Sequence, residues 1–385
     1  MKKIMLVFLI CGLLNTLIAN AEVQYAWQVD GSLLKNDELL SSESICWIYS
    51  HDVFPNNVEK IRIINLNGGK MKDYSLDSGY IIQKSHNDYE GVLFASESNG
   101  IMRIYHVNGN QNPEIVFEVG HLPVFWNKGD QTVRAYMNEY LYYIKALDNP
   151  EQGTQKIGKE VYSVSNQVRG QFCRVNKNGE EYNYQLKSES NNVSDQLWNR
   201  LIDGYALHEN GTLAWVENTY GENETSLVKV EIPGEGCREI INMPRIKDAG
   251  YDRISEEGLC WITDVDLLFL AESSEIKGNV LLTINIQSGE IKEYCNKSGE
   301  KIVIGDIGEG SGLYMNAERN CIAYFADPNG LFKTQSDGIN LAVPKVLSLL
   351  SGQSYYVCEY KNKDNELGMF NEYRRSVGQL SWLGK

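Results

Sequence analysis

The chain has 385 residues, with 36 Lys and Arg against 51 Asp and Glu and a formal charge of −15. A surface this acidic repels phosphate backbones, so nucleic acid is not an expected partner. The acids are scattered among Asn, Ser and Gly rather than gathered in a tail, the pattern of a solvated surface.

The N-terminus has the form of an export signal. Met1, Lys2 and Lys3 make a basic start, Ile4 to Cys11 with Leu13, Leu14, Leu17 and Ile18 an apolar run, and Ala19-Asn20-Ala21 a small-x-small triplet suited to signal peptidase. Cleavage is expected after Ala21. The apolar stretch of about 15 residues, interrupted by Gly12, Asn15 and Thr16, is shorter than the roughly 20 residues of a membrane span. A lipoprotein signal is disfavoured because few apolar residues precede Cys11 and Ile10 is too large. No second apolar segment of membrane length follows. Residues 1–21 are therefore expected to be a signal peptide and residues 22–385 a single soluble, monomeric domain, secreted or periplasmic. Loss of two lysines with the signal leaves a formal charge of −17.

From Ile45 onward, short β signals recur. Ser44-Ile45-Cys46-Trp47-Ile48, Gly211-Thr212-Leu213-Ala214-Trp215-Val216 and Gly258-Leu259-Cys260-Trp261-Ile262 share an aliphatic residue, a small one, Trp and a β-branched residue in order. Each is followed by a strand pair hinged on glycine: Val58 to Leu66 turns at Asn67-Gly68-Gly69, Leu227 to Ile232 at Pro233-Gly234, and Val280 to Ile286 at Gln287-Ser288-Gly289. Weaker copies start at Gly91, Leu141, Phe172, Cys321 and Tyr355. Anchors at Cys46, Leu93, Tyr142, Cys173, Ala214, Trp261, Ile322 and Val357 recur at an average of about 44 residues, the length of a β-propeller blade.

The expectation is an all-β propeller of seven or eight four-stranded blades, six requiring longer blades. The N-terminal strand Val23 to Gln28 and the C-terminal strand Val377 to Leu383 are expected to pair and close the ring, hiding the edge strands. Two β-sandwiches would give similar strand signals. Helical spacing is confined to Ser194 to Ile202 and Val343 to Leu350.

The run Ile322-Ala323-Tyr324-Phe325-Ala326-Asp327-Pro328-Asn329-Gly330-Leu331-Phe332, continuing to Asp337-Gly338, resembles a blade of the TolB-like and low-density-lipoprotein-receptor-type propellers. In those families a strand ending in an acidic loop leads to another strand and an Asp-Gly turn. Trp261-Ile262-Thr263-Asp264 is similar to their tyrosine-tryptophan-threonine-aspartate strand, and the likeness covers about three blades, residues 205 to 340. It implies a scaffold that holds a protein or a glycan on one face.

The residues with reactive side chains form no recognisable set. Seven cysteines remain after cleavage, Cys46, Cys173, Cys237, Cys260, Cys295, Cys321 and Cys358, an odd count without a C-x-x-C pair. They fit buried strand positions with one or two disulfides at most. His51, His86, His106, His121 and His208 lack metal-ligand spacing. Asp264 and Asp266 lie among apolar residues, as at a strand edge rather than in a calcium loop. The glycines from Gly305 to Gly312 precede no helix, so they suit an interblade loop and not a phosphate cradle. Ser75 to Gly79 lacks the aromatic of a sialidase box, Ile82 standing there, and Ser311 has no nucleophile elbow.

No catalytic, cofactor-binding or metal-ligating residue is therefore assigned, and no cofactor is expected. The excess is aromatic, with 23 Tyr and 7 Trp. Trp47, Trp215 and Trp261 are expected to pack at equivalent positions between blades. Trp126, Trp198, Tyr140, Tyr142 and Tyr143 are candidates for a binding face. The functional expectation is non-catalytic recognition of a protein or glycan through loops on one face. The alternatives are a glycoside hydrolase or lyase built on two carboxylates, and an envelope assembly or structural factor.

Overall fold

The computed structural model describes residues 26–28, 44–53, 56–66, 71–75, 80–84, 91–98, 101–107, 113–120, 133–146, 152–157, 160–165, 170–187, 204–219, 225–308, 312–316, 318–326, 343–357, 359–361 and 380–382. The chain opens with β1 (Ala26–Gln28) and continues into β2 (Ser44–Val53), β3 (Asn56–Asn65) and β4 (Met71–Ser75). The second sheet is β5 (Tyr80–Lys84), β6 (Val92–Ser98), β7 (Ile101–Val107) and β8 (Glu114–Val119). The third starts with β9 (Val133–Met137) and β10 (Tyr140–Ala146). After a separate hairpin, β11 (Gln152–Ile157) and β12 (Glu160–Ser165), it is completed by β13 (Gly170–Asn176) and β14 (Glu181–Lys187).

The fourth sheet holds β15 (Tyr205–Leu207), β16 (Leu213–Thr219), β17 (Thr225–Ile232) and β18 (Gly236–Ile241), and is followed by the single turn and a half of α1 (Met243–Asp248). The fifth holds β19 (Arg253–Trp261), β20 (Asp266–Ser273), β21 (Ile276–Asn285) and β22 (Ile291–Glu293), with β23 (Val303–Ile304) added on β21. The sixth is β24 (Tyr314–Met315), β25 (Cys321–Ala326), β26 (Val343–Ser348) and β27 (Ser354–Tyr356). The chain then runs through β28 (Glu359–Lys361), paired with β1, to β29 (Ser381–Trp382), which joins β2 as the missing first strand of the first sheet.

The first strands gather at the centre. Contacts run from β29 to β5, from β15 to β19, from β19 to β24 and from β24 back to β29. Between β5 and β9 the approach is close enough for parallel pairing, Gln83 opposite Ala135 and Lys84 opposite Tyr136. Gln83 Nε2 then donates to Leu207 O of β15 at 3.3 Å, carrying the circuit to the fourth sheet. The chain is thus a β-propeller.

Apolar layers fill the spaces between sheets. On β20, Leu267, Phe269 and Ala271 pack toward the fourth sheet with Val228, Val230 and Ile254, while Leu268 and Leu270 pack toward the sixth with Ile322, Tyr324 and Leu347. Burial on both faces is why β20 is a continuous apolar run instead of an alternating one. The second and third sheets share Ile82, Leu93, Ile104, Leu141 and Tyr143, and the third and fourth share Phe172, Tyr184, Leu213 and Trp215.

Four expectations are corrected. First, anchors Tyr142 and Cys173 lie on β10 and β13 of one sheet, and Ile322 and Val357 both belong to the sixth sheet's neighbourhood. Six four-stranded units, with the two-stranded sheets β1–β28 and β11–β12 beside them, stand among the described residues; the anchors Tyr142 and Cys173 therefore do not mark separate blades. Second, the terminal strands do not pair with each other: Trp382 lies opposite Ile45 and Ser381 opposite Cys46, whereas Ala26 lies opposite Lys361. Third, Val343 to Leu350 begins as β26, because six ladder pairs with β25 from Ala326↔Val343 to Cys321↔Ser348 override its helical spacing. Fourth, Trp215 is on a second strand and Trp261 ends a first strand, so the two are not equivalent. Ser194 to Ile202, Asp327 to Gly338, Trp126 and Trp198 lie outside the described residues.

Polar contacts tie the segment before β19 to the outer strand of the fifth sheet. Tyr251 donates its hydroxyl to Glu293 Oε1 at 2.7 Å, and Lys301 Nζ lies 2.7 Å from the same oxygen. The hydrogen bonds from Lys301 and Tyr251 hold the Glu293 carboxyl below its ordinary value. A carboxylate depressed in the folded state stabilises fully above its unfolded pKa of about 4.3, and that contribution is lost as pH falls through the folded value. Between about pH 5 and pH 3 the wild-type melting temperature should therefore fall more than that of Glu293→Gln. Equal slopes in thermal unfolding would dismiss the linkage.

Candidate functional site

Antiparallel order puts the turn between first and second strands at the same end of a sheet as the turn between third and fourth. Four of the first-to-second turns are laced together across blade boundaries. Asn138, after β9, donates Nδ2 to Glu209 O, after β15, at 2.5 Å. His208 Nε2, beside it, lies 3.4 Å from Oδ1 of Asp264, after β19. Arg319, after β24, places Nη1 3.5 Å from the same Asp264 oxygen and donates to Ile262 O at 3.3 Å. A rim of turn side chains thus runs over the third, fourth, fifth and sixth sheets around the axis.

His208 is the buried member, 7% exposed. Its ring stands edge-on against Trp261 with centroids 5.2 Å apart, and Trp261 Nε1 donates to Ala206 O at 3.2 Å. His208 Nδ1 accepts the Asn210 amide at 3.2 Å, which leaves the proton on Nε2, facing Asp264. The Nε2–Asp264 approach lacks hydrogen-bond alignment, so Nε2 is a buried donor without a hydrogen-bond partner. Asp264 itself is 79% exposed in its side chain. The imidazole is therefore a fixed post under an exposed carboxylate.

The backbone of the rim is unusual. Asn138, Glu139 and Arg319 have φ of 50°, 64° and 55°, and they are the non-glycine residues with positive φ among the described ones. Asn138-Glu139 fills a two-residue hairpin slot that normally takes Asn-Gly, since both positions need positive φ. Glu in place of Gly costs roughly 1 kcal/mol or more and sets a carboxylate, 72% exposed, on the rim, 3.3 Å from Lys177 Nζ.

Outward along the fifth sheet the same end carries a polar groove of about 400 Å³, lined by Asp266, Thr283, Asn285, Gln287, Ser288, Glu290 and Lys292. Asp266 accepts from Thr263 Oγ1 and from Asn285 Nδ2, each at 2.8 Å. Asn285 Oδ1 accepts the amides of Gln287 and Ser288, shaping the turn at the groove's lip. Asp264 and Asp266, two residues apart, thus serve different partners, one the rim and one the groove. Among the described residues no three His, Cys, Asp or Glu side chains gather as a metal-ligand set.

Among the described residues, the tyrosine, Asp306 and cysteine candidates are packing or anchoring groups. Tyr142 and Tyr143 are buried, and Arg174 covers the Tyr140 ring at 4.4 Å. Tyr182 and Tyr184 donate to Glu231 Oε1 and Gly211 O, stitching the third sheet to the fourth. Burial, with the hydrogen bond to Glu231, pushes the Tyr182 hydroxyl up to about 12. Asp306, in the glycine-rich stretch after β23, accepts from Tyr324 and pairs with Lys345 at 2.6 Å, which anchors an interblade loop. Cys173, Cys237, Cys260 and Cys295 are free thiols. Burial raises Cys173 to about 12 and Cys237 to about 11, which makes both poor nucleophiles.

No helix of the described residues is long and apolar enough to cross a membrane. No family model matches the chain, and no curated protein does. Among solved structures, TolB from Acinetobacter baumannii is similar with a TM-score of 0.50 and 8% identity over 90% of this chain and 67% of that one. The β-propeller domain of the trilobed protease from Pyrococcus furiosus reaches 0.40 at 8% identity, over 84% of this chain and 96% of that one. An oligogalacturonate lyase in complex with manganese reaches 0.37 at 12% identity, over 82% and 76%. At 8% identity the likeness to TolB shows a shared propeller fold.

Proposed function

We propose that the mature chain is an exported, non-catalytic binding propeller of six blades that recognises a protein or a glycan on the face bearing Asn138, His208, Glu209, Asp264 and Arg319. The observation that carries this reading is the rim itself. Four turns from four sheets are fixed to one another, and three non-glycine residues there hold a costly backbone conformation, as is typical of binding and switch positions. Such a rim is ordered before any ligand arrives, which lowers the entropic cost of binding. Its most exposed charges are the carboxylates of Glu139 and Asp264, each with a cation beside it, Lys177 and Arg319, and the groove beside it offers donors and acceptors. A ligand presenting ammonium, guanidinium or hydroxyl donors suits that surface. Export is supported by the basic start, apolar run and Ala19-Asn20-Ala21.

The test is direct binding of the purified mature chain to immobilised glycans and to envelope and extracellular proteins. Glu139→Ala and Asp264→Ala together should weaken a bound ligand at least about tenfold, roughly 1.4 kcal/mol, with circular dichroism unchanged. Unaltered affinity in the double variant would remove this face from recognition. Turnover of any glycan by the wild type would replace the binding reading with the enzyme reading.

A further inference from the structure

One buried cation has neither a carboxylate nor an aromatic face beside it among the described residues. Arg134 lies on β9, a first strand beside the axis, and is 2% exposed. Its Nε is sealed from solvent with no hydrogen-bond partner, and no ion pair reaches the side chain among the described residues. Arg174 shares a sealed, unpartnered Nε, but its guanidinium meets the Tyr142 hydroxyl and covers the Tyr140 ring, and four further arginines have acceptors. Arg103 and Arg253 pair with Glu118 and Glu272 at 2.7 and 2.8 Å, Arg245 donates to the carbonyls of Ile240 and Gly289, and Arg319 reaches Asp264. In a chain with 51 acids and 36 bases, a buried guanidinium left without a carboxylate is an anomaly.

The backbone singles out the same residue. Tyr142 lies opposite Ala135 and Tyr143 opposite Val133, so Arg134 is the extra residue of a bulge in the β9–β10 ladder. Bulges re-aim one side chain and recur beside binding sites. On its other edge β9 pairs with β5 at Gln83 and Lys84, so Arg134 sits where the first strands of two sheets meet.

We infer that Arg134 anchors an oxyanion-binding site near the axis of the ring, taking a carboxylate or a phosphate. The planar fork of a guanidinium matches both, and a bound oxyanion supplies the charge and acceptors that the described residues do not. The site is independent of the rim reading above, since Arg134 lies one strand-length away from the turn at Asn138 on β9.

Thermal unfolding of the mature chain, titrated with sodium phosphate or sodium acetate against sodium chloride at equal ionic strength, tests the site. The wild-type melting temperature should rise by a few degrees as an oxyanion saturates. Arg134→Met should abolish the rise and Arg134→Lys should reduce it. A response to acetate alone assigns a carboxylate, and one to phosphate alone a phosphate. No response to either, or an equal response in Arg134→Met, overturns the proposal. If Arg134→Met fails to fold, calorimetric titration of wild type and Arg134→Lys decides, with equal affinities again overturning it.

Discussion

Trp382→Ala is expected to destabilise the chain by about 3–5 kcal/mol, and removal of residues 380–385 to abolish cooperative unfolding. Trp382 is 6% exposed and donates Nε1 to Tyr314 O at 2.8 Å, so one side chain joins the first sheet to the sixth. Its strand, β29, also supplies the first position beside β2, opposite Ile45 and Cys46. Without it the β2 edge is left with open backbone hydrogen-bonding groups at the centre of the ring, a template for pairing with another chain. The midpoint of urea unfolding measures the substitution, and light scattering measures the aggregation expected of the truncated chain. A truncated chain that unfolds in one transition at the wild-type midpoint would show that closure contributes nothing.

The strands were legible where apolar patterning and glycine agreed. Val280 to Ile286, the turn at Gln287-Ser288-Gly289 and the following strand emerge as β21, turn and β22, because local hairpin chemistry decides them. Blade number was not legible. Strands of one sheet and strands of neighbouring sheets carry the same apolar signature, and the β11–β12 hairpin separates Tyr142 from Cys173 by a blade-like interval although they share a ladder. Val343 to Leu350 misled for a related reason: Val346, Leu347 and Leu349 are buried between sheets, and a short apolar segment fits either period.

The rim was still less visible. Asn138 meets the carbonyl of Glu209, 71 positions away, and no spacing rule links turns in different sheets. The available signal was the pair Asn138-Glu139 in a hairpin slot between two clear strands, which marks a turn but not a face. His208 was visible only as an isolated histidine, and its pairing with Asp264 depends on the stacking of two sheets.

The fit between the fifth and sixth sheets can be separated from backbone preference with two glycines. Gly258, at the irregular point of β19, has φ of +90°, and a Cβ there would lie 2.6 Å from Leu313 Cγ and 3.1 Å from Leu270 Cδ1. Gly234, in the turn between β17 and β18, has φ of +89° and open space around its Cβ position. Gly234→Ala should cost about 1–2 kcal/mol, the preference against left-handed backbone alone. Gly258→Ala should cost about 2–5 kcal/mol, because overpacking of buried leucines adds to that preference. Both values follow from equilibrium unfolding in denaturant. The difference between them measures how rigidly the seam is packed, and that seam also carries Asp264 and Arg319 on the rim. If the two substitutions cost the same, the leucines yield freely, and the rim above them is not held by the core.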